Sequence, residues 1–305
     1  MNTRMPILLI LTILLLQGCA TTNNNQQDTA FSDIHLHFNY RHKEIISAKE
    51  TVDILKAHDV VLATVSSEPA SMALEMNEIA GDWVIPFASP YYKAGNRKTW
   101  YFDKNLLAEM RKMLDTGRYG GIGEVHITSG IGPSRDSEVM LGLFDLAREY
   151  DLPFLLHTNA GNYQYFLPIC QRHSDVDIIW AHAGGDLQPD QLRPLMQGCD
   201  NVWLDLTARD PWHYGHLTTD EGILLPGWRD LIIDFQDRVM TGTDPVWNAH
   251  QTYRWYESDE GWDHYTKLID FHRNWMKQLP EEVEKKVRLT NAQQFFNNPG
   301  RSLDN

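Results

Sequence analysis

Eight short apolar or β-branched runs recur along the chain, and each is followed by a stretch of helical character. The runs are Asp33–Phe38, Val60–Val65, Trp83–Ala88, Gly121–Ile127, Pro153–His157, Asp177–His182, Val202–Leu206 and Arg238–Thr241. Helical candidates lie between them at Ala48–His58, Ala70–Ile79, Leu106–Leu114, Ser137–Tyr150, Tyr163–His173, Pro189–Met196 and Trp228–Phe235. A last segment, Tyr265–Phe296, holds at least one long helix, with Pro280 marking a break and restart. Alternating strand–helix units produce a parallel sheet, and eight strands close it, so the fold class expected is α/β, a single-domain (β/α)8 TIM barrel. A doubly wound open sheet is the alternative. No fixed-period repeat, Gly/Ser-rich linker or charge block divides residues 31–305. Ten Trp, twelve Tyr and eleven Phe supply enough apolar surface to offset the entropy of ordering. The net charge of -14 argues against nucleic acid as a partner.

The first thirty residues stand apart from this pattern. Arg4 precedes an apolar run from Ile7 to Leu16, broken by Thr12 and short for a membrane span. A basic start, a short apolar stretch and small residues mark a secretory signal. Leu16-Gln17-Gly18-Cys19 resembles the bacterial lipoprotein signal, which implies removal of residues 1–18 and lipidation of Cys19. An ordinary signal peptide ending near a cysteine is the alternative. Residues 19–30 read as a polar tether. Ala20 to Ala30, fully extended, would reach about 35–40 Å. The absence of Asp after Cys19 favours, by the same resemblance, the outer membrane facing the periplasm. Cys170 and Cys199 remain in the body; an oxidising compartment would let them pair, but two separately buried thiols are the expectation.

Asp33-Ile34-His35-Leu36-His37 opens the body. On a regular strand Asp33, His35 and His37 share one face, so two imidazoles can grip one metal ion and Asp33 can orient one of them. Glu124, His157, His182 and Asp244 each stand at or just beyond the C-terminal end of an apolar run, the face on which barrels build their sites. A polar residue at each of these places is costly to bury without a shared purpose.

The ordered series His35-x-His37, His157, His182 and Asp244 resembles the amidohydrolase superfamily, and Leu279-Pro280 with Asn291-Ala292 resembles its amidohydrolase-related branch. The likeness runs from Asp33 to about Phe296. It implies a metal-dependent hydrolase with His35 and His37 as ligands of a first ion and Asp244 as ligand and proton acceptor. His157 and His182 would hold a second ion, or bind the single ion and polarise the substrate carbonyl, respectively. Some members carry a carbamylated lysine on the fourth strand and others, such as the TatD-type nucleases, a glutamate; Glu124 therefore makes a two-ion centre plausible, with an outer-shell acid as the alternative. His126 has the parity of Glu124 and is a substrate-binding or outer-shell candidate. The cofactor expected is one or two divalent ions, zinc first, with manganese or iron also suited to His and carboxylate donors. Zinc acidifies bound water to a pKa of about 7, and Asp244 would take its proton.

Aromatic and basic residues crowd the loops after the third, seventh and eighth runs: Tyr91, Tyr92, Arg97, Lys98 and Trp100; Arg209, Trp212, His213, Tyr214 and His216; Trp247, His250, Trp255 and Trp262. They suit a small-molecule substrate bearing a ring or a carboxylate, and Arg209 is the first choice for an anionic group. Signatures of phosphate-loop, serine-hydrolase and zincin chemistry are absent. The bond expected to be cleaved is an amide, lactone or ester. Two alternatives stand: non-oxidative decarboxylation of an aromatic acid, and a non-catalytic barrel acting as a binding scaffold.

Overall fold

The computed structural model describes residues 29–127, 132–158, 162–246 and 261–297. The expected leader, Cys19 and nearly all of the tether lie outside the described residues, as do Trp247, His250 and Trp255. Eight parallel strands pair in chain order: β1 Phe31–His37, β2 Val60–Ser66, β3 Val84–Ala88, β4 Gly121–Ile127, β5 Phe154–Thr158, β6 Ile178–Trp180, β7 Val202–Asp205 and β8 Val239–Met240. The Ile34 N–H donates to Thr241 O (3.2 Å) and the Asp244 N–H to His35 O (2.9 Å), bringing the last strand back to the first. The chain is a (β/α)8 barrel.

Its helices are α1 Ala48–Ala57, α2 Ser71–Ala80, α3 Leu106–Leu114, α4 Glu138–Glu149, α5 Tyr163–Arg172, α6 Pro189–Gly198, α7 Pro226–Asp234, α8 Tyr265–Met276, α9 Glu281–Lys285 and α10 Asn291–Phe296. Local chemistry sets their ends. Ser47 and Glu50 form a reciprocal cap on α1, whose buried face is Ala48, Thr51, Val52 and Leu55. Pro189 opens α6, and Pro280 stands just before α9. Ile34, Leu62, Ile85, Phe87, Leu155, Ile179 and Met240 fill the barrel, and Ala292, Phe295 and Phe296 of α10 join them. The Asn291 amide donates to Gln236 O (2.7 Å) and Val239 O (2.8 Å), seating α10 at the end where β8 begins.

Two strands change phase midway. Along β1, Asp33 pairs with Ala63 but Leu36 with Val65, so three steps on β1 match two on β2. Along β4, Ile122 pairs with Phe154 but Val125 with Leu156. Each strand thus holds one extra residue, a bulge of the kind that re-aims side chains. In β4 the bulge contains Gly123, at φ +138, where a Cβ would sit 2.4 Å from Leu155 O; no other residue fits there.

The two remaining cysteines depart from expectation. Cys170, near the end of α5, and Cys199, just past α6, are bridged, with Cα atoms 6.0 Å apart. Neighbouring helices finish at bonding distance, which spacing along the chain does not disclose. The Asn201 amide ties the same corner together through Cys170 O, His173 O (2.9 Å) and Val176 O (2.8 Å).

Two fully buried histidines are held neutral by donors aimed at Nδ1. His42 accepts the Asn39 N–H (2.8 Å), and His272 accepts the Trp275 indole N–H (3.2 Å). Burial lowers them from 6.5 to about 3 and about 4, respectively. The unfolded chain therefore binds more protons below pH 6.5, and stability conferred by the neutral rings is lost as pH falls toward 4. His272 alone accounts for on the order of 3 kcal/mol. Urea midpoints should fall over that window, with a shallower slope in His272→Asn, whose Oδ1 keeps the acceptor without the titration; an identical slope would count against this account.

Candidate metal centre

The β1 bulge sends Ile34 and His35 to the same side, so His35 and His37 face inward while Asp33 faces the helices. The expectation that Asp33 shares their face and orients one of them is thereby corrected. Asp33 accepts the Thr243 N–H (3.0 Å) and the Thr243 (2.7 Å) and Tyr265 (2.8 Å) hydroxyls, holding the segment that leads to Asp244. The orienting carboxylate is Asp205, at the end of β7: its Oδ2 accepts the His35 Nδ1–H at 2.6 Å. Sequence reasoning passed over Asp205, although an acid closing the apolar run Val202–Leu206 is the same signal that singled out Glu124. The His37 Nδ1–H donates to Ser66 O (3.0 Å), and the His182 Nδ1–H to Thr207 O (3.1 Å). All three rings thus turn Nε2 toward the barrel axis.

His182 and Asp244 lie past their strands on backbone turned to positive φ (57° and 49°). The Glu124 side chain sits at the centre. Its Oε2 is 3.2 Å from His37 Nε2 and 3.6 Å from His35 Nε2; its Oε1 is 2.7 Å from His157 Nδ1 and 3.7 Å from His182 Nε2. Asp244 Oδ1 stands 3.4 Å from His37 Nε2. The structure therefore brings His35, His37, Glu124, His157, His182 and Asp244 together, with His126 beside them, its Nε2 3.5 Å from Glu124.

The electrostatics of this cluster call for a cation. Burial alone would push the Glu124 carboxyl up, but His126, His35 and His157 outweigh it and hold it well below its usual value. Burial would likewise lower His35, yet Glu124 and Asp205 raise it well above. His35 Nε2 and His37 Nε2 lie 3.1 Å apart, and two facing lone pairs need a positive centre between or on them. Asp244 Oδ1 is buried and makes no hydrogen bond among the described residues. Three groupings, His35/His37/Asp244, His35/Glu124/His182 and Glu124/His126/His157, each place their donor atoms within 4.8 Å of one another. Imidazole and carboxylate donors so arranged fit a divalent ion.

Arg209, the residue expected to meet an anionic substrate group, is turned toward backbone carbonyls. It is fully buried and donates to His182 O (2.9 Å), Ala183 O (3.0 Å) and Leu187 O (2.9 Å), with its guanidinium over the Trp228 ring. It braces the turn that carries His182. Arg209→Met should cost about 2–4 kcal/mol in urea unfolding, because carbonyls bound to a charged donor lose it inside the protein; a raised KM with unchanged stability would restore the substrate role. Trp262 is also structural, its indole N–H donating to His37 O (2.9 Å). Of the loop aromatics, Tyr214 reaches the cluster: its ring packs 5.1 Å from His182 and its hydroxyl lies 3.5 Å from His157 Nε2. From the loop after β3, Tyr91 Oη lies 2.6 Å from His126 Nδ1, and Arg97 Nη2 lies 2.7 Å from His126 Nε2.

Comparison with known proteins places these features in context. The family model described as amidohydrolase matches residues 33–297. No curated protein matches the chain. Among solved structures, a candidate 2-pyrone-4,6-dicarboxylic acid hydrolase of Pseudomonas putida is similar, with a TM-score of 0.59 and 14% identity over 88% of this chain and 98% of that one. An amidohydrolase of Burkholderia multivorans with bound zinc has a TM-score of 0.56 and 14% identity, over 88% of this chain and 100% of its own. A phosphotriesterase homology protein of Escherichia coli, with phosphate in its active site, has a TM-score of 0.56 and 14% identity, over 88% and 99%. At such identities they share the barrel.

Proposed function

Because the chain belongs to the amidohydrolase family and is by that membership a metal-dependent hydrolase, we propose that it cleaves a carbonyl-type bond, an amide, lactone or ester, of a small molecule. The observation that carries this reading is the inward cluster itself: paired imidazole nitrogens 3.1 Å apart beside a buried carboxylate oxygen that makes no hydrogen bond among the described residues. His35, His37 and Asp244 would hold a divalent ion, with Glu124 and His182 as further donors. When bound, that ion supplies Lewis-acid chemistry, acidifying water and polarising the carbonyl. Zinc is our first choice, a reading supported by the donor set and by the zinc in the similar Burkholderia structure.

Asp244 takes the proton of the attacking water and passes it to the leaving group, a role suited to a buried carboxylate whose Oδ1 makes no hydrogen bond among the described residues. With Nδ1–H committed to Thr207 O, His182 turns Nε2 to the cluster, where it serves as a ligand. The Tyr214 hydroxyl, kept protonated by burial, is the neutral donor placed to meet charge developing on the carbonyl oxygen. We further propose that the protein sits on the bacterial cell envelope through lipid on Cys19. The Leu16–Cys19 segment supports this, and so does the Cys170–Cys199 bridge, since structural disulfides persist in oxidising compartments.

Metal analysis by mass spectrometry, combined with a screen of lactones, amides and esters with and without chelator, tests the reading. Stoichiometric metal and a chelator-sensitive hydrolysis are expected. Carbon dioxide released from an intact aromatic ring would replace hydrolysis by decarboxylation, and a protein without stoichiometric metal would overturn the enzyme reading.

A further inference from the structure

We propose that the guanidinium of Arg97 fills the place of a second cation beside Glu124, so that the centre takes one divalent ion rather than two. The inference rests on the metal-dependent reading above. Glu124, His126 and His157 form a donor grouping separate from His35, His37 and Asp244, and by spacing alone it would accept an ion of its own. Its middle member is already engaged. A guanidinium can only donate, so Arg97 Nη2, 2.7 Å from His126 Nε2, consumes the lone pair a metal would need.

The other ring nitrogen offers no substitute. With Nε2 accepting, the ring proton is on Nδ1 and is donated to Tyr91 Oη at 2.6 Å. The same phenol oxygen accepts the backbone N–H of His126 at 3.1 Å, which fixes ring and strand together. Tyr91 is buried, and its ring centroid lies 5.7 Å from the Arg97 guanidinium carbon, so the cation rests on an aromatic face. Charge argues the same way. Glu124 is the one carboxylate in this grouping, and its Oε2 already stands 3.2 Å from His37 Nε2. A divalent ion entering here would meet a guanidinium, permanently charged, a few ångströms away.

The test is metal stoichiometry in protein loaded with excess Mn²⁺ and then gel-filtered. The wild type should retain one equivalent. Arg97→Ala should retain two, with the second ion's dissociation constant lowered roughly a hundredfold or more, and should show the electron paramagnetic resonance signal of a coupled manganese pair. Arg97→Ala combined with His126→Ala should return to one, and Arg97→Lys, which keeps the charge, should stay at one. Arg97→Gln carries the same expectation as Arg97→Ala should the alanine protein fail to fold. Two equivalents in the wild type, or one in a natively folded Arg97→Ala or Arg97→Gln, would overturn the inference. No bound manganese in the wild type would instead remove the metal-dependent reading on which it stands.

Discussion

Asp244→Asn should lower kcat by about 10²–10⁴-fold, the range associated with losing a positioned general base. The substitution keeps the shape of the side chain and the two backbone hydrogen bonds that set the loop, Asp244 N–H to His35 O (2.9 Å) and Val246 N–H to Asp244 O (2.7 Å). What it removes is a buried charge whose Oδ1 makes no hydrogen bond among the described residues. Stability of the metal-free protein should therefore stay level or rise, since a buried carboxylate oxygen without a hydrogen bond is costly. Steady-state kinetics with thermal melts on the same preparations separate the outcomes. Activity within tenfold of wild type would take the proton-accepting role from Asp244; a large fall in Tm would make it a structural residue.

The second large effect should follow from Glu124→Gln. An anionic oxygen 2.7 Å from His157 Nδ1 and 3.2 Å from His37 Nε2 becomes an amide, neutral and half donor. Removing one partner from a buried charged cluster leaves the others uncompensated, and metal affinity should fall by roughly 10²–10³-fold. Competitive titration against a chromophoric chelator gives the number directly. An unchanged affinity would move Glu124 to the periphery, the outer-shell role that sequence reasoning kept as the alternative.

Much of this was legible beforehand, for identifiable reasons. The strand order follows from eight apolar runs separated by amphipathic ones, a pattern that burial imposes everywhere in a barrel. Glu124, His157, His182 and Asp244 stood out because charge or imidazole at the tail of an apolar run is costly unless shared. The structure brings these side chains together with His35 and His37. What escaped was whatever depends on phase or direction. Strict alternation made Asp33 a companion of His35, but one extra residue in β1 turns it to the other side. A cation in a loop near the site suggested substrate, yet Arg209 points into backbone carbonyls while Arg97, in an earlier loop, touches His126. Whether Cys170 and Cys199 meet was a matter of three dimensions.

The two extra residues in β1 and β4 have a further meaning for how such a barrel can change. Below each bulge the side chains that face inward belong to one reading frame, and above it to another. The hydrophobic packing of Ile34, Leu155 and their neighbours is thus uncoupled from the placement of His37 and His126 by the length of chain between them. Chemistry at the mouth can be re-aimed by gaining or losing one residue at the bulge, which leaves the register of the packing beneath it in place.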